Sequence, residues 1–191
     1  MTFLRNRIMM ATIEEINENG IKFTMTELAK RLAVSKSTLY EHFSSKEELI
    51  GAVVDSLLEN VRQQAEKIVN SDLNIKEKLK ALLLTEPNLG GLISSRFVFD
   101  LKRYMPDVWK RCDEYREYSW QRVEALLDQG ITAGYFRPID LPIAKVIYNA
   151  TINELLHENF LIKNNLTVLD TIGKAMDILY YGMVARESEN D

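Results

Sequence analysis

A single cysteine, Cys112, excludes an intrachain disulfide from this 191-residue chain. Only 8 glycines and 4 prolines punctuate it, and no alternation of apolar and polar residues persists beyond a few positions, which argues against a sheet-built fold. No run of about 18 or more apolar residues exists, and the N-terminus lacks a signal-peptide cleavage pattern, so a transmembrane helix and an exported form are not expected. Base is in short supply too. The net charge of −4 argues at first against a nucleic-acid partner. What remains is an ordinary globular balance, 46% hydrophobic and 27% charged, enough for a sizeable core. The expectation is an all-α, soluble, cytoplasmic protein with no cofactor.

Residues 24 to 48 hold the most informative pattern. Thr24 followed three residues later by Glu27 fits a capping box, in which hydroxyl and carboxylate satisfy each other's backbone N–H groups. The short helix that follows carries Leu28, Ala29 and Leu32 on one side, with Ala29 small enough for a second helix to cross closely. Ala33-Val34 interrupts it, with Val34 placed to fill the gap between helices. Ser35 is a good N-cap for a second short helix reaching about residue 42. There Leu39 and Phe43 lie four apart and face inward, while Lys36, Ser37, Thr38, Tyr40 and His42 make a face of hydrogen-bond donors without a bulky aliphatic. A duplex asks for such a face: donors for phosphate oxygens and short polar groups for base edges. Ser45 with Glu48 forms a second expected capping box, which places Lys46 in the first turn of the next helix beside free N–H groups, a site for an anion. This is the outline of a helix-turn-helix, whose second helix can enter the major groove.

Charge distribution supports the pattern. Between residues 22 and 46, five cations (Lys22, Lys30, Arg31, Lys36, Lys46) stand against Glu27 and Glu41, so the acidic excess lies elsewhere, partly at Glu187, Glu189 and Asp191. The local field is modest, and binding is expected to lean on specific phosphate contacts, to be doubled by a dimer and to weaken with salt.

The run from Val34 to Leu49, V-S-K-S-T-L-Y-E-H-F-S-S-K-E-E-L, resembles the DNA-binding segment of tetracycline-repressor-type (TetR family) transcriptional regulators. The preceding R-I-M-M-A-T-I-E-E-I-N-E-N-G-I-K-F-T-M-T-E-L-A resembles their first helix, glycine stop and second helix. The match covers roughly residues 5 to 53; the remainder fits by length and helical content. The resemblance implies that Lys36, Ser37 and Thr38 lie near bases or phosphates, that Tyr40, His42 and Lys46 meet phosphates, and that Thr24 or Thr26 touches the backbone. Two departures stand out. Ala33 occupies a turn position where the family usually has glycine, and an alanine at positive φ costs on the order of 1 kcal/mol, so a slightly different turn is expected. Ser37 replaces a frequent glycine, which bears on which bases are read.

The rest reads as helices, about nine in all, the first running from Phe3 to Asn19 and stopping at Gly20. Ile8, Ala11, Ile16 and Ile21 are expected in one small core with Leu28, Leu32, Leu39 and Phe43. Further helices are expected over 46–70, 74–85, 91–104, 106–133, 141–163 and 167–186, with Pro106 suited to a first turn. Two domains follow from this division, 1–48 for DNA binding and 49–191 for effector binding and dimerisation. On the last helix Leu169, Ile172, Met176, Leu179 and Met183 repeat at spacings of three and four, a helix-packing seam, with Gly173, Ala175 and Gly182 beside it. The preceding helix is apolar on more than one side. The resemblance implies that these last two helices pair across a two-fold axis, giving a homodimer interface of Ile147, Leu155 and the five seam residues and a palindromic operator. It also implies an effector site in the larger domain, for which Phe97, Tyr104, Trp109, Cys112, Tyr115 and Tyr118 are the candidates, apolar bodies with polar handles.

Two other classes compete. Glu154 and His157 form an E-x-x-H pair that would set two metal ligands on one helical turn, but a di-iron bundle needs two such pairs and this chain has one. An adaptor that kept the fold without DNA affinity would need an apolar patch where Lys36, Thr38, Tyr40 and His42 stand. The sequence therefore reads as a dimeric, ligand-released repressor of transcription rather than an enzyme, its partners an operator duplex and a small molecule.

Overall fold

The computed structural model describes residues 2–85, 93–155 and 158–185. Among them are ten helical segments: α1 (Thr2–Asn19), α2 (Met25–Leu32), α3 (Lys36–His42), α4 (Lys46–Val69), α5 (Ile75–Leu83), α6 (Ser95–Tyr104), α7 (Pro106–Thr132), α8 (Leu141–Leu155), α9 (Glu158–Lys163) and α10 (Val168–Met183). No strand occurs among the described residues; one isolated bridge joins Phe136 to Val184. The all-α expectation stands. The stretch 141–163, expected as one helix, is described as α8 and α9 on either side of residues 156 and 157, which lie outside the described residues.

Contacts divide the chain into two compact units. The first holds α1 to α3, α4 as far as Val61, α6, and α7 as far as Glu114. Its core gathers Ile8 and Ile16 of α1, Leu28 and Leu32 of α2, and Leu39 with Phe43 of α3, all buried together as their spacing predicts. Leu49, Ile50, Val53 and Val54 of α4 and Phe97 and Leu101 of α6 complete it. Each such side chain removed from water contributes about 1.5–3 kcal/mol. Compactness thus divides the chain differently from a boundary after residue 48. The apolar stripe of α4 continues the same core, and α6, which follows α4 and α5 in sequence, returns to it.

The second unit holds α4 from Arg62, α5, α7 from Tyr115, and α8 to α10. Here α10 packs on α5 and α8, and Met176, Tyr180, Leu79, Trp120, Leu127 and Phe136 are buried. Lys80 of α5 holds α10 by an ion pair to Asp177 (3.3 Å) and a hydrogen bond to the Tyr181 hydroxyl (3.2 Å). The end of α10 is tied to the segment after α7: Arg137 N–H donates to Met183 O (3.1 Å) and Ala185 N–H to Tyr135 O (3.1 Å).

The five seam residues of α10 are not equally buried. Met176 alone of the five is completely buried, within a unit where α10 packs on α5 and α8. Leu169, Ile172, Leu179 and Met183 are half-buried. The exposed large apolar residues of these two helices are Ile178 (74% exposed) and Tyr181 on α10, and Ile143 (58% exposed), Val146 and Ile147 on α8, Ile147 being one of the expected interface residues. Gly173 and Gly182 adjoin open space.

Candidate nucleic-acid interface

Residue by residue, the local chemistry of the helix-turn-helix is what its sequence calls for. Thr24 caps α2: its hydroxyl accepts from Glu27 N–H (3.2 Å), and Glu27 Oε2 accepts from the Thr24 N–H (2.7 Å). The backbone N–H of Thr24, and next its hydroxyl, hold the Glu27 carboxyl below the usual carboxylate range. Ala33 ends α2 at φ 53 and ψ 42. Its N–H reaches Lys30 O (3.1 Å) and the next N–H, from Val34, reaches Ala29 O (3.0 Å), the two bonds of a Schellman motif. The expected change in the turn does not occur: alanine takes up the left-handed conformation that glycine adopts without strain. Ser35 caps α3 by accepting from Thr38 N–H (3.0 Å), and its hydroxyl also meets those of Ser37 (2.7 Å) and Thr38 (2.8 Å).

With Leu39 and Phe43 fully buried, the other side of α3 is open. Lys36, Ser37 and Tyr40 are exposed, and Thr38 and His42 are half-buried. Thr24 and Thr26 are exposed on α2. The Lys36 ammonium lies 5.7 Å from the Tyr40 ring centre, so cation and phenol share one patch. Behind this face, α1 closes the carbonyl ends of both helices. Arg5 Nη1 donates to His42 O (2.7 Å) with its guanidinium 4.1 Å over the Phe43 ring, and Arg7 Nη2 donates to Leu32 O (2.9 Å). Sequence reasoning missed both arginines, because their partners lie 37 and 25 residues away.

Three expectations change. Lys46 is half-buried, and its ammonium donates to Ile21 O and Phe23 O (both 3.0 Å), leaving one of three N–H bonds for an anion. Arg31 is no open cation: Glu18 and, with it, Glu15 (2.6 Å) hold it against α1, pushing its pKa up further. The positive excess counted from sequence is therefore smaller at the surface. At the start of α4, Ser45 caps Glu48 N–H (3.0 Å) as expected, but Glu48 Oε2 reaches one residue further, to Ser44 N–H (2.7 Å).

The effector candidates divide between the two units. Phe97, Tyr104, Trp109 and Cys112 belong to the first unit, Tyr115 and Tyr118 to the second. Phe97 is core, and Trp109 and Cys112 pack against that core. Tyr104 is exposed, with the Lys22 ammonium 5.0 Å from its ring. Tyr118 is exposed too, and Arg122 donates to its hydroxyl (2.6 Å). A cavity of about 420 Å³ lies within the second unit, lined by Leu83, Trp120, Val123, Ile139 and Tyr148 and by Ile143, Ile147, Ile178, Leu179 and Met183 of α8 and α10, with Arg137 and Asp140 among its polar residues. Trp120 and Tyr148 pack at 5.4 Å, and burial pushes the Tyr148 phenol up. Of the E-x-x-H pair, Glu154 is exposed and His157 lies outside the described residues. Among the described residues no group of three or more histidine, cysteine, aspartate or glutamate side chains could hold a metal ion.

A capped recognition helix presenting exposed donors, carried by an all-α chain, defines a DNA-binding regulator. The model of the family described as "Bacterial regulatory proteins, tetR family" matches residues 8–53. The HTH-type transcriptional regulator YvaF of Bacillus subtilis (strain 168), itself uncharacterised, is 31% identical over 182 residues, covering 95% of this chain and 96% of that protein. In fold, the chain is similar to a transcriptional regulator from Saccharomonospora viridis solved with choline (TM-score 0.76, 18% identity, 97% of this chain and 100% of that one). It is also similar to FadR from Bacillus subtilis solved with stearoyl-CoA (TM-score 0.65, 19% identity, 95% and 99%). The chain belongs to the tetR family of bacterial regulatory proteins and is a DNA-binding transcriptional regulator.

Proposed function

We propose that this regulator is a ligand-released repressor that binds a palindromic operator as a homodimer in the cytoplasm. The observation that carries the reading is the face of α3, where Lys36, Ser37 and Tyr40 are exposed beside Thr38 and His42 on a helix anchored by Leu39 and Phe43. Within residues 1–48, Lys36, Ser37 and Thr38 read bases or nearby phosphates from the N-terminal half of α3. Tyr40, His42, Thr24, Thr26 and the remaining N–H of Lys46 meet phosphates. Residues 49–191 supply the effector site and the dimer contact. The exposed apolar side chains of α8 and α10, Ile143, Val146, Ile147, Ile178 and Tyr181, support pairing with a second copy, and Ile143, Ile147 and Ile178 also line the cavity, so the two roles share this face.

A dimer must hold its two recognition helices about 34–36 Å apart, or a multiple of that, to enter successive major grooves. An effector that tilts α4, whose first residue is Lys46, removes that match. A coupling of ~1–3 kcal/mol, common in allostery, changes operator affinity about 5- to 150-fold. The cavity supports an effector in the second unit, its apolar wall and few polar groups being the usual make-up of a small-molecule site. Choline and stearoyl-CoA are the ligands of the two related structures, and their difference in size and charge makes an unbiased screen the way to this chain's own effector.

Anisotropy titration against a palindrome from DNA beside its own gene, at two salt concentrations, tests the reading. Lys36→Ala and Tyr40→Phe weaken binding, and Lys36→Ala lowers the salt slope by about 1. Unchanged affinity in both variants contradicts the contact assignment.

A further inference from the structure

The turn joining α1 to α2 is gripped from both sides. On one side is α6, three of whose groups reach the end of α1. Ser94 N–H, at the cap of α6, donates to Asn17 Oδ1 (3.1 Å), Arg96 Nη1 donates to Glu18 O (2.7 Å), and Asp100 Oδ2 accepts from Ile21 N–H (2.8 Å). On the other side, Lys46 at the start of α4 donates to Ile21 O and Phe23 O. Ile21 thus has its N–H on a carboxylate and its carbonyl on an ammonium, two charge-assisted bonds, which are stronger than bonds between neutral groups. Gly20, immediately before it, has φ +81, and a Cβ there would lie 2.7 Å from Asp100 Oδ2. The positive φ favours glycine at that position, and a Cβ there would also push on the carboxylate.

Ile21 stands three residues before the Thr24 cap of α2, and α2 passes to α3 through the closed Schellman turn at Ala33. Whatever fixes Ile21 therefore fixes the entry of α2 and, through it, the angle at which α3 is presented. Asp100 lies far along the chain from the DNA-contacting residues, and nothing in residues 8–53, the part that the family model matches, includes it.

We propose that Asp100 is a positioning residue for DNA recognition, holding the Ile21 amide so that α3 meets base edges in register. Asp100 itself touches no DNA; it acts through the turn. Sequence-specific affinity depends on this register, whereas non-specific affinity depends on phosphate charge, which Asp100 does not supply. The inference rests on DNA binding through α3 and is separable from it.

The test compares the wild type with Asp100→Ala, Asp100→Asn and Arg96→Ala. Each is titrated against the duplex that the wild type selects from a randomised library and against a scrambled duplex of equal length. Asp100→Ala should bind the selected duplex about tenfold more weakly, as for loss of one hydrogen bond to a charged group, with scrambled-duplex affinity unchanged. Asp100→Asn keeps an acceptor for the Ile21 N–H and should restore most of the loss. Arg96→Ala leaves that amide held and should stay within about twofold of the wild type, as for an exposed contact. Thermal unfolding of each variant accompanies the titrations, and the asparagine variant keeps the test open if alanine prevents folding. Overturning results are wild-type affinity in Asp100→Ala, a parallel loss on both duplexes, no restoration by asparagine, or an equal loss in Arg96→Ala. A wild type that selects no sequence overturns the DNA reading as well.

Discussion

Ala33 carries a left-handed backbone, φ 53, in the one turn that sets α2 against α3. An L side chain there strains against its own carbonyl, and Ala33→Gly should stabilise the chain by up to ~1 kcal/mol, reduced by the extra freedom glycine has when unfolded. Thermal unfolding measures it, and a lower midpoint would refute the strain. Glu27 gives a second prediction at this scale. Its carboxyl titrates below the ordinary value of 4.5 because Thr24 N–H and hydroxyl favour the charged form. The folded-state pKa is depressed, so this stabilisation is fully present above 4.5 and is lost as pH falls through the lowered value. Glu27→Gln should therefore flatten the fall in thermal midpoint on acidification below that point, seen in unfolding scans over a pH series. The caps at Thr24 and Ser35 were legible in the sequence because capping is local. The partners of Lys46 and Arg31 were not, since a carbonyl 25 residues away or a carboxylate on another helix leaves no trace in spacing.

Helices were legible wherever a stop stood beside a periodic run. Gly20 closes α1, Pro106 opens α7, and Asn74 caps α5 by accepting from Glu77 N–H (3.0 Å). Which face of a helix looks where was less legible. The repeat on α10 fits an internal contact and an external one equally well, and only the presence of α5 and α8 decides that Met176 goes inward. The aromatics from Phe97 to Tyr118 posed the same difficulty: their spacing reveals a helix but not which of two units each one joins. Gly130 shows what packing adds. A Cβ there would sit 2.2 Å from the fully buried ring of Phe136, so Gly130→Ala should destabilise the second unit by about 1–3 kcal/mol despite alanine's better helix propensity. Denaturant titration reads the change; an unaltered or raised midpoint would mean that the ring has room to move.

For the whole molecule, oligomeric state decides whether one recognition helix or two engage DNA. Ile178 is 74% exposed, so Ile178→Lys should leave the monomer's fold intact while placing a charge in the proposed contact between copies. Sedimentation should then report a monomer for the variant and the proposed dimer for the wild type, with operator affinity falling in step. A dimeric Ile178→Lys protein would direct attention to another face. The other whole-chain consequence concerns α1. Its two arginines seal the trailing ends of both helices proposed to meet the duplex, Arg7 at Leu32 and Arg5 at His42, across 25 and 37 residues. Shortening the protein past Arg7 would thus leave carbonyls bare at the back of the reading head and loosen it from behind, without altering a single side chain turned toward the nucleotides.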